Sequence, residues 1–127
     1  MSFESVQEDV DEWTSQFDPQ YWEPHEIVAR LAEETGEIAR EVNDEGGSKP
    51  KKSDEGSLEE EVGDAIFTLI CLANSQGIDL DETWQAVMDK CYGRDNDRFE
   101  KAWPDRRLKR KTVINESAEA AHRREPR

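Results

Sequence analysis

Apolar residues return every three or four positions in four separate stretches, a spacing that predicts four amphipathic helices. The first runs from Ser5 to Phe17 through Val6, Val10, Trp13 and Phe17, and Asp18-Pro19 ends it. Pro24 stands at the start of the second, whose stripe reads Ile27, Val28, Leu31, Thr35, Ile38 and Val42. Glu34, Glu37 and Glu41 flank that stripe and Glu33 lies a little further round, so the carboxylates are expected to border the packed seam where a groove opens. The third begins with Ser57-Leu58-Glu59-Glu60, a capping-box pattern, and continues through Val62, Ala65, Ile66, Leu69, Ile70, Leu72 and Ala73. Beyond Asp64 it is apolar on most of its circumference, which suits a central or subunit-interface helix. Gly77 closes it, Asp79 with Glu82 caps the fourth, and Leu80, Trp84, Val87, Met88 and Cys91 are that helix's expected buried side. Four such helices describe an all-α four-helix bundle. There is no internal repeat and no dinucleotide-type glycine pattern.

Between the second and third helices, residues 43–56 read as a loop rich in Gly, Ser, Asp and Lys around Pro50. Its Lys49, Lys51 and Lys52 are cations in an anionic neighbourhood, either solvated or facing phosphate. Residues 1–103 form the expected domain. Residues 104–127, with Arg106, Arg107, Lys109, Arg110 and Lys111, read as a charged, flexible tail.

Composition narrows the class. At 127 residues the chain holds one domain with a lean core, since 34% of residues are apolar and the net charge is −14. Residues 1–100 carry 27 acidic against 8 basic residues, and that body repels a duplex nucleic-acid backbone. The acidity suits a salt-rich cytosol or an ordinary acidic protein; the sequence leaves both open. No apolar run reaches the roughly 18 residues of a membrane span, no signal peptide is evident, and Cys71 and Cys91 have neither metal nor disulfide spacing. A cytoplasmic protein with no membrane partner is expected.

The chemistry lies in two acidic words, Glu33-Glu34-Thr35-Gly36-Glu37 and Glu61-Val62-Gly63-Asp64. Each sits on a periodic helix, and its carboxylates, three or four apart, share a face. Packed side by side, the two helices would gather up to five carboxylates, whose repulsion calls for a cation. All-oxygen donors point to Mg2+, with Mn2+ as substitute, and Mg2+ with open positions generally holds phosphate. Gly36 and Gly63 beside the motifs suggest close approach of a helix or ligand. Lys90, Arg94 and Arg98 follow at i, i+4 and i+8 on the fourth helix, as a clamp for phosphates. A di-iron centre is not expected, because it needs Glu-x-x-His on two helices and this chain has that spacing once, Glu119 to His122, in the charged tail, while His25 follows no Glu at that distance.

The stretches Ala29–Asn43 and Leu58–Asn74 together resemble the MazG-like nucleotide pyrophosphohydrolases, whose pattern is EExxE followed by ExxD. The resemblance extends from about Val10 to Phe99 and is nearest to the short, single-domain YpjD-type branch. It implies a MazG-type bundle assembling as a homodimer or homotetramer, and Mg2+-dependent hydrolysis of nucleoside triphosphates to monophosphate and pyrophosphate, with clearing of the nucleotide pool as the expected role. By motif position, Glu34, Glu37, Glu61 and Asp64 match the metal ligands. Glu33 matches the first motif glutamate, as a second-metal ligand or the group orienting water. Lys90, Arg94 and Arg98 match phosphate-holding positions, and Asn74 and Asn96 are candidate substrate contacts. Trp13, Phe17 and Trp22 are candidates for stacking on a base, with core packing the alternative. Two rival functions stand beside this one: phosphoribosyl-ATP pyrophosphatase, and a non-catalytic acidic helical module for a basic partner.

Overall fold

The structure, a computed structural model, describes residues 1–46 and 56–100. Among these it holds four helices and no strand: α1 (Phe3–Thr14), α2 (Pro24–Gly46), α3 (Leu58–Ser75) and α4 (Leu80–Tyr92). Lys49, Lys51, Lys52 and the segment after Trp103, including the expected boundary after residue 103, lie outside the described residues. The chain divides into two compact units, Met1–Asp89 and Lys90–Arg127.

Local chemistry sets the helix ends. Ser2 caps α1 by accepting from the Ser5 backbone at 3.1 Å, and the Asp81 carboxylate at the start of α4 accepts from the Phe3 and Glu4 amides at 3.2 and 3.0 Å. These two caps start α1 two residues before the expected Ser5. It ends at Thr14, short of Phe17, where the chain turns to bring Trp13 and Phe17 edge to face at 5.0 Å. In α3 the expected capping box is present. Ser57 Oγ accepts from the Glu60 amide at 3.2 Å, and the Glu60 carboxylate accepts from the Ser57 amide at 3.4 Å. The other end closes in a Schellman arrangement: Gly77, at φ 65°, donates to Asn74 O at 3.2 Å and Ile78 donates to Ala73 O at 2.9 Å. Asp79 Oδ1 then caps α4, accepting from the Asp81 and Glu82 amides at 2.9 and 3.2 Å.

Helices α2 and α3 form the central pair and α1 packs on α3. The apolar core is small: Val10, Ile27, Ile70 and Ala73. Two expectations about its faces are corrected. On α2 the inward line is Ile27, Leu31, Glu34, Ile38 and Glu41, at alternating steps of four and three, so Glu34 and Glu41 lie in the seam rather than beside it. Val28, Thr35 and Val42, expected inside, form an exposed line instead. Helix α4 buries none of its residues; Trp84, Val87 and Cys91 are exposed, and Trp84 leans on Phe3 with ring centroids 5.8 Å apart. Periodicity identifies an apolar face without identifying its cover. Gly36 and Gly63 are not at close approaches either, for a Cβ added at either position meets nothing within 4 Å.

Candidate metal centre and cavity

The seam line of α2 delivers Glu34 against the first turns of α3, where Glu61 and Asp64 stand three residues apart. One carboxylate oxygen from each of Glu34, Glu61 and Asp64 lies within 4.8 Å of the other two. Glu34 is buried, Glu61 half-buried and Asp64 exposed. Across an octahedral Mg2+ shell, ligand oxygens lie ~2.9 to ~4.1 Å apart. A pair at the 4.8 Å limit would close by up to about 2 Å to become neighbouring ligands, and as hard oxygen donors the three fit a divalent cation of this kind. Glu37, expected among the ligands, is paired with Arg40 at 2.5 Å. Glu33 is paired with Arg30 at 3.1 Å and is exposed. Desolvation, followed by the charges of Glu37, Asp64, Glu34 and Glu41, pushes the Glu61 carboxyl above its ordinary value. A dication relieves that crowding.

A cavity of about 510 Å3 opens beside the carboxylates, and Glu34 and Asp64 are part of its wall. Much of the remaining lining is aromatic: Trp13, Phe17, Tyr21, Trp22 and Phe67. Trp13, Phe17 and Trp22 keep 54%, 51% and 57% of their surface exposed, so they line the opening rather than fill the core. Trp13 also meets Phe67 edge to face at 5.8 Å, tying the α1 wall to α3. Cys71 lines the cavity as well, and burial pushes its thiol pKa up, which makes it a poor nucleophile.

Asn74 lies away from this cavity and its amide is engaged. Nδ2 donates to Gln7 O at 2.9 Å and to Tyr21 Oη at 3.0 Å, while Oδ1 accepts from Gln7 Nε2 at 2.9 Å. Tyr21 in turn donates to Asp11 Oδ1 at 2.8 Å, and burial raises its pKa, so the hydroxyl remains a donor. The network joins α1, the α1–α2 connection and α3, and it fixes one ring of the cavity wall.

The expected basic face at i, i+4 and i+8 is corrected. Helix α4 ends at Tyr92, with only Lys90 on it, and Arg94 and Arg98 follow in the turns beyond. Gly93 and the Asp95-Asn96-Asp97 run are poor helix residues, and the Asp95 amide closes the end by donating to Lys90 O at 3.1 Å. Asp95 binds both arginines, Arg94 Nε at 3.0 Å and Arg98 Nη1 at 3.3 Å, and the Arg94 hydrogen bond is the main cause of its lowered pKa. Asn96 is half-buried in the same turns.

Sequence reasoning missed Arg30, Tyr21 and Phe67, all of which line the cavity. Arg30 offered a signal, the four-residue spacing to Glu34 that forms an ion pair on a helix. The others depend on how the α1–α2 connection folds over α3, which periodicity does not report.

Comparison with known proteins agrees with this geometry. Residues 22–99 match the MazG nucleotide pyrophosphohydrolase domain. An uncharacterized Bacillus subtilis protein, YpjD, is 48% identical over 100 residues, covering 77% of this chain and 90% of its own. The crystal structure of B. subtilis YpjD, described there as a candidate pyrophosphatase, superposes with a TM-score of 0.64 at 47% identity, covering 71% of this chain and 94% of that one. A Bacillus-conserved MazG protein, a nucleotide pyrophosphohydrolase, gives 0.63 at 40% identity, covering 84% and 97%. Among the described residues no helix is long and apolar enough to cross a membrane. With both acidic motifs meeting at one cavity and the matched segment spanning both, the chain belongs to the MazG nucleotide pyrophosphohydrolase family and is an enzyme of that class.

Proposed function

We propose that the protein hydrolyses nucleoside triphosphates between the α and β phosphates, with Mg2+ as cofactor and Mn2+ as substitute. The observation carrying this reading is the shared wall: Glu34 and Asp64 of the three-carboxylate group also line the aromatic cavity. A planar base stacks on the aromatic lining that includes Trp13, Phe17 and Trp22, and its triphosphate reaches toward the carboxylates. When bound, the cation neutralises phosphate charge and acidifies water.

Glu34, Glu61 and Asp64 would hold the cation, and Glu37 would add a fourth carboxylate if released from Arg40. Glu33 or a neighbouring motif carboxylate accepts the proton of the attacking water. The water oxygen bonds to the α phosphorus, the bond from that phosphorus to the bridging oxygen breaks, and pyrophosphate departs with the electron pair. Asn74 supports the cavity through Tyr21. On resemblance alone, Lys90, Arg94 and Arg98 are assigned to the phosphates and Asn96 to a substrate contact.

We also propose a cytoplasmic homodimer or homotetramer. The exposed apolar positions Val28 and Val42 on α2, and Val62, Ile66 and Leu69 on α3, support it, since a second copy would cover them. The test is a panel of canonical and modified triphosphates with Mg2+, at low and high salt, with pyrophosphate and orthophosphate separated. Monophosphate with pyrophosphate is expected. Orthophosphate alone overturns α–β cleavage, and turnover of phosphoribosyl-ATP in place of every triphosphate overturns the substrate class.

A further inference from the structure

Arg30 forms an ion pair with Glu34. Its Nη2 lies 2.8 Å from Glu34 Oε1 and its Nη1 lies 3.1 Å from Glu33 Oε2, so one guanidinium spans both glutamates that open the first motif. The two ends of the pair are unlike. Glu34's side chain is 4% exposed and sits in the α2 seam, whereas Arg30's is 52% exposed at the cavity wall. The carboxylate is therefore held by packing, and the guanidinium is the partner free to move. All three residues belong to one helical segment, so breaking the contact to Glu34 requires no other element to shift. Nor would it strand the arginine, because Glu33 remains beside it with a side chain 67% exposed.

We propose that Arg30 is a built-in counter-ion that competes with the divalent cation for Glu34 and thereby sets the cation concentration at which the centre loads. The inference rests on the metal-dependent reading above. Without a cation, Arg30 offsets part of the repulsion among Glu34, Glu61 and Asp64 and keeps the group open. An arriving dication would take the guanidinium's place on Glu34, and Arg30 would fall back on Glu33. The contrary role, an outer partner that orients the ligand, would make cation binding about 10- to 100-fold weaker when removed. Seam burial already fixes Glu34, so orientation is not what Arg30 adds. Competition and orientation predict opposite signs for one measurement.

That measurement is titration calorimetry of the nucleotide-free protein with MgCl2 and with MnCl2, at fixed ionic strength, for the wild type, Arg30→Met and Arg30→Lys. Methionine keeps an apolar stem without the charge; lysine keeps the charge. The Met variant is expected to bind the cation about fivefold more tightly, the upper range for a partly exposed ion pair, with the Lys variant close to wild type. Circular dichroism checks folding, and Arg30→Gln replaces the Met variant should the latter not fold. Unchanged or weaker binding by the charge-free variant overturns the counter-ion role while the metal reading stands. Saturable binding by neither wild type nor variants overturns the metal reading, and this proposal with it.

Discussion

Replacing Asn74 with alanine separates a structural role from a substrate-binding one. The side chain makes three hydrogen bonds, two to Gln7 and one to Tyr21 Oη, at 2.9, 2.9 and 3.0 Å. Each contributes about 0.5–1.5 kcal/mol net. The site is partly buried, so water can reach some of the orphaned groups and the lower half of that range applies. The sum is a destabilisation of about 2 kcal/mol, which lowers the melting temperature by roughly 10 °C in a domain of this size. The pair should also be coupled. Gln7→Ala removes one of the same bonds, Nε2 to Asn74 Oδ1, and leaves the backbone carbonyl that accepts from Asn74 Nδ2, so the double variant should fall short of additivity by about 0.5–1 kcal/mol. Urea unfolding followed by tryptophan fluorescence measures the stability, and steady-state kinetics on the preferred triphosphate measures the rest. Catalysis at a temperature where the variant is folded should change modestly, through the loss of Tyr21 support. An unchanged unfolding midpoint together with a markedly raised KM would refute the reasoning and make Asn74 a direct substrate contact.

Two other outcomes follow from local geometry. Gly36→Ala should raise stability by about 1 kcal/mol, because the helix gains propensity and the new methyl meets open space, whereas Gly77→Ala should lower it by a similar amount at φ 65°. Paired thermal melts decide this, and a loss at Gly36 would mean that a partner or ligand occupies that space in solution. The raised Glu61 carboxyl makes the cation-free fold bind a proton more readily than the unfolded chain, so its contribution to stability is fully present below the ordinary value of 4.5 and is lost as pH rises through the raised folded value. Denaturation in chelator across that window should show the loss in wild type and not in Glu61→Gln, and cation affinity should weaken as pH falls over the same range.

The helix ends were legible because their chemistry is local. Ser57 with Glu60, Asp79, Pro24 and Gly77 each act on amides or carbonyls within a few residues. The start of α1 was not legible, because Asp81, distant in sequence, supplies two of its acceptor contacts. The acidic words were readable as a convergent group, and Glu34, Glu61 and Asp64 do converge. Their depth was misjudged. Sorting residues by polarity puts carboxylates at the rim of an apolar stripe, whereas α2 sets two of them in the seam and turns Val28 and Val42 outward. Such inversions arise where a site and a packing interface are the same surface. The arginine partners were hidden for a different reason, since an i, i+4 pair on a charged helix is ordinarily solvated.

The seam of α2 has a consequence for how such a chain drifts over generations. Glu34 at 3% exposure and Glu41 at 0% occupy positions that leucine would fill to the benefit of packing. Loss of the chemistry is therefore downhill in folding free energy, so a copy released from its task has no structural reason to keep its acids. Duplicates that have lost activity should be recognisable by apolar residues at these two positions, in bundles sturdier than their working ancestor.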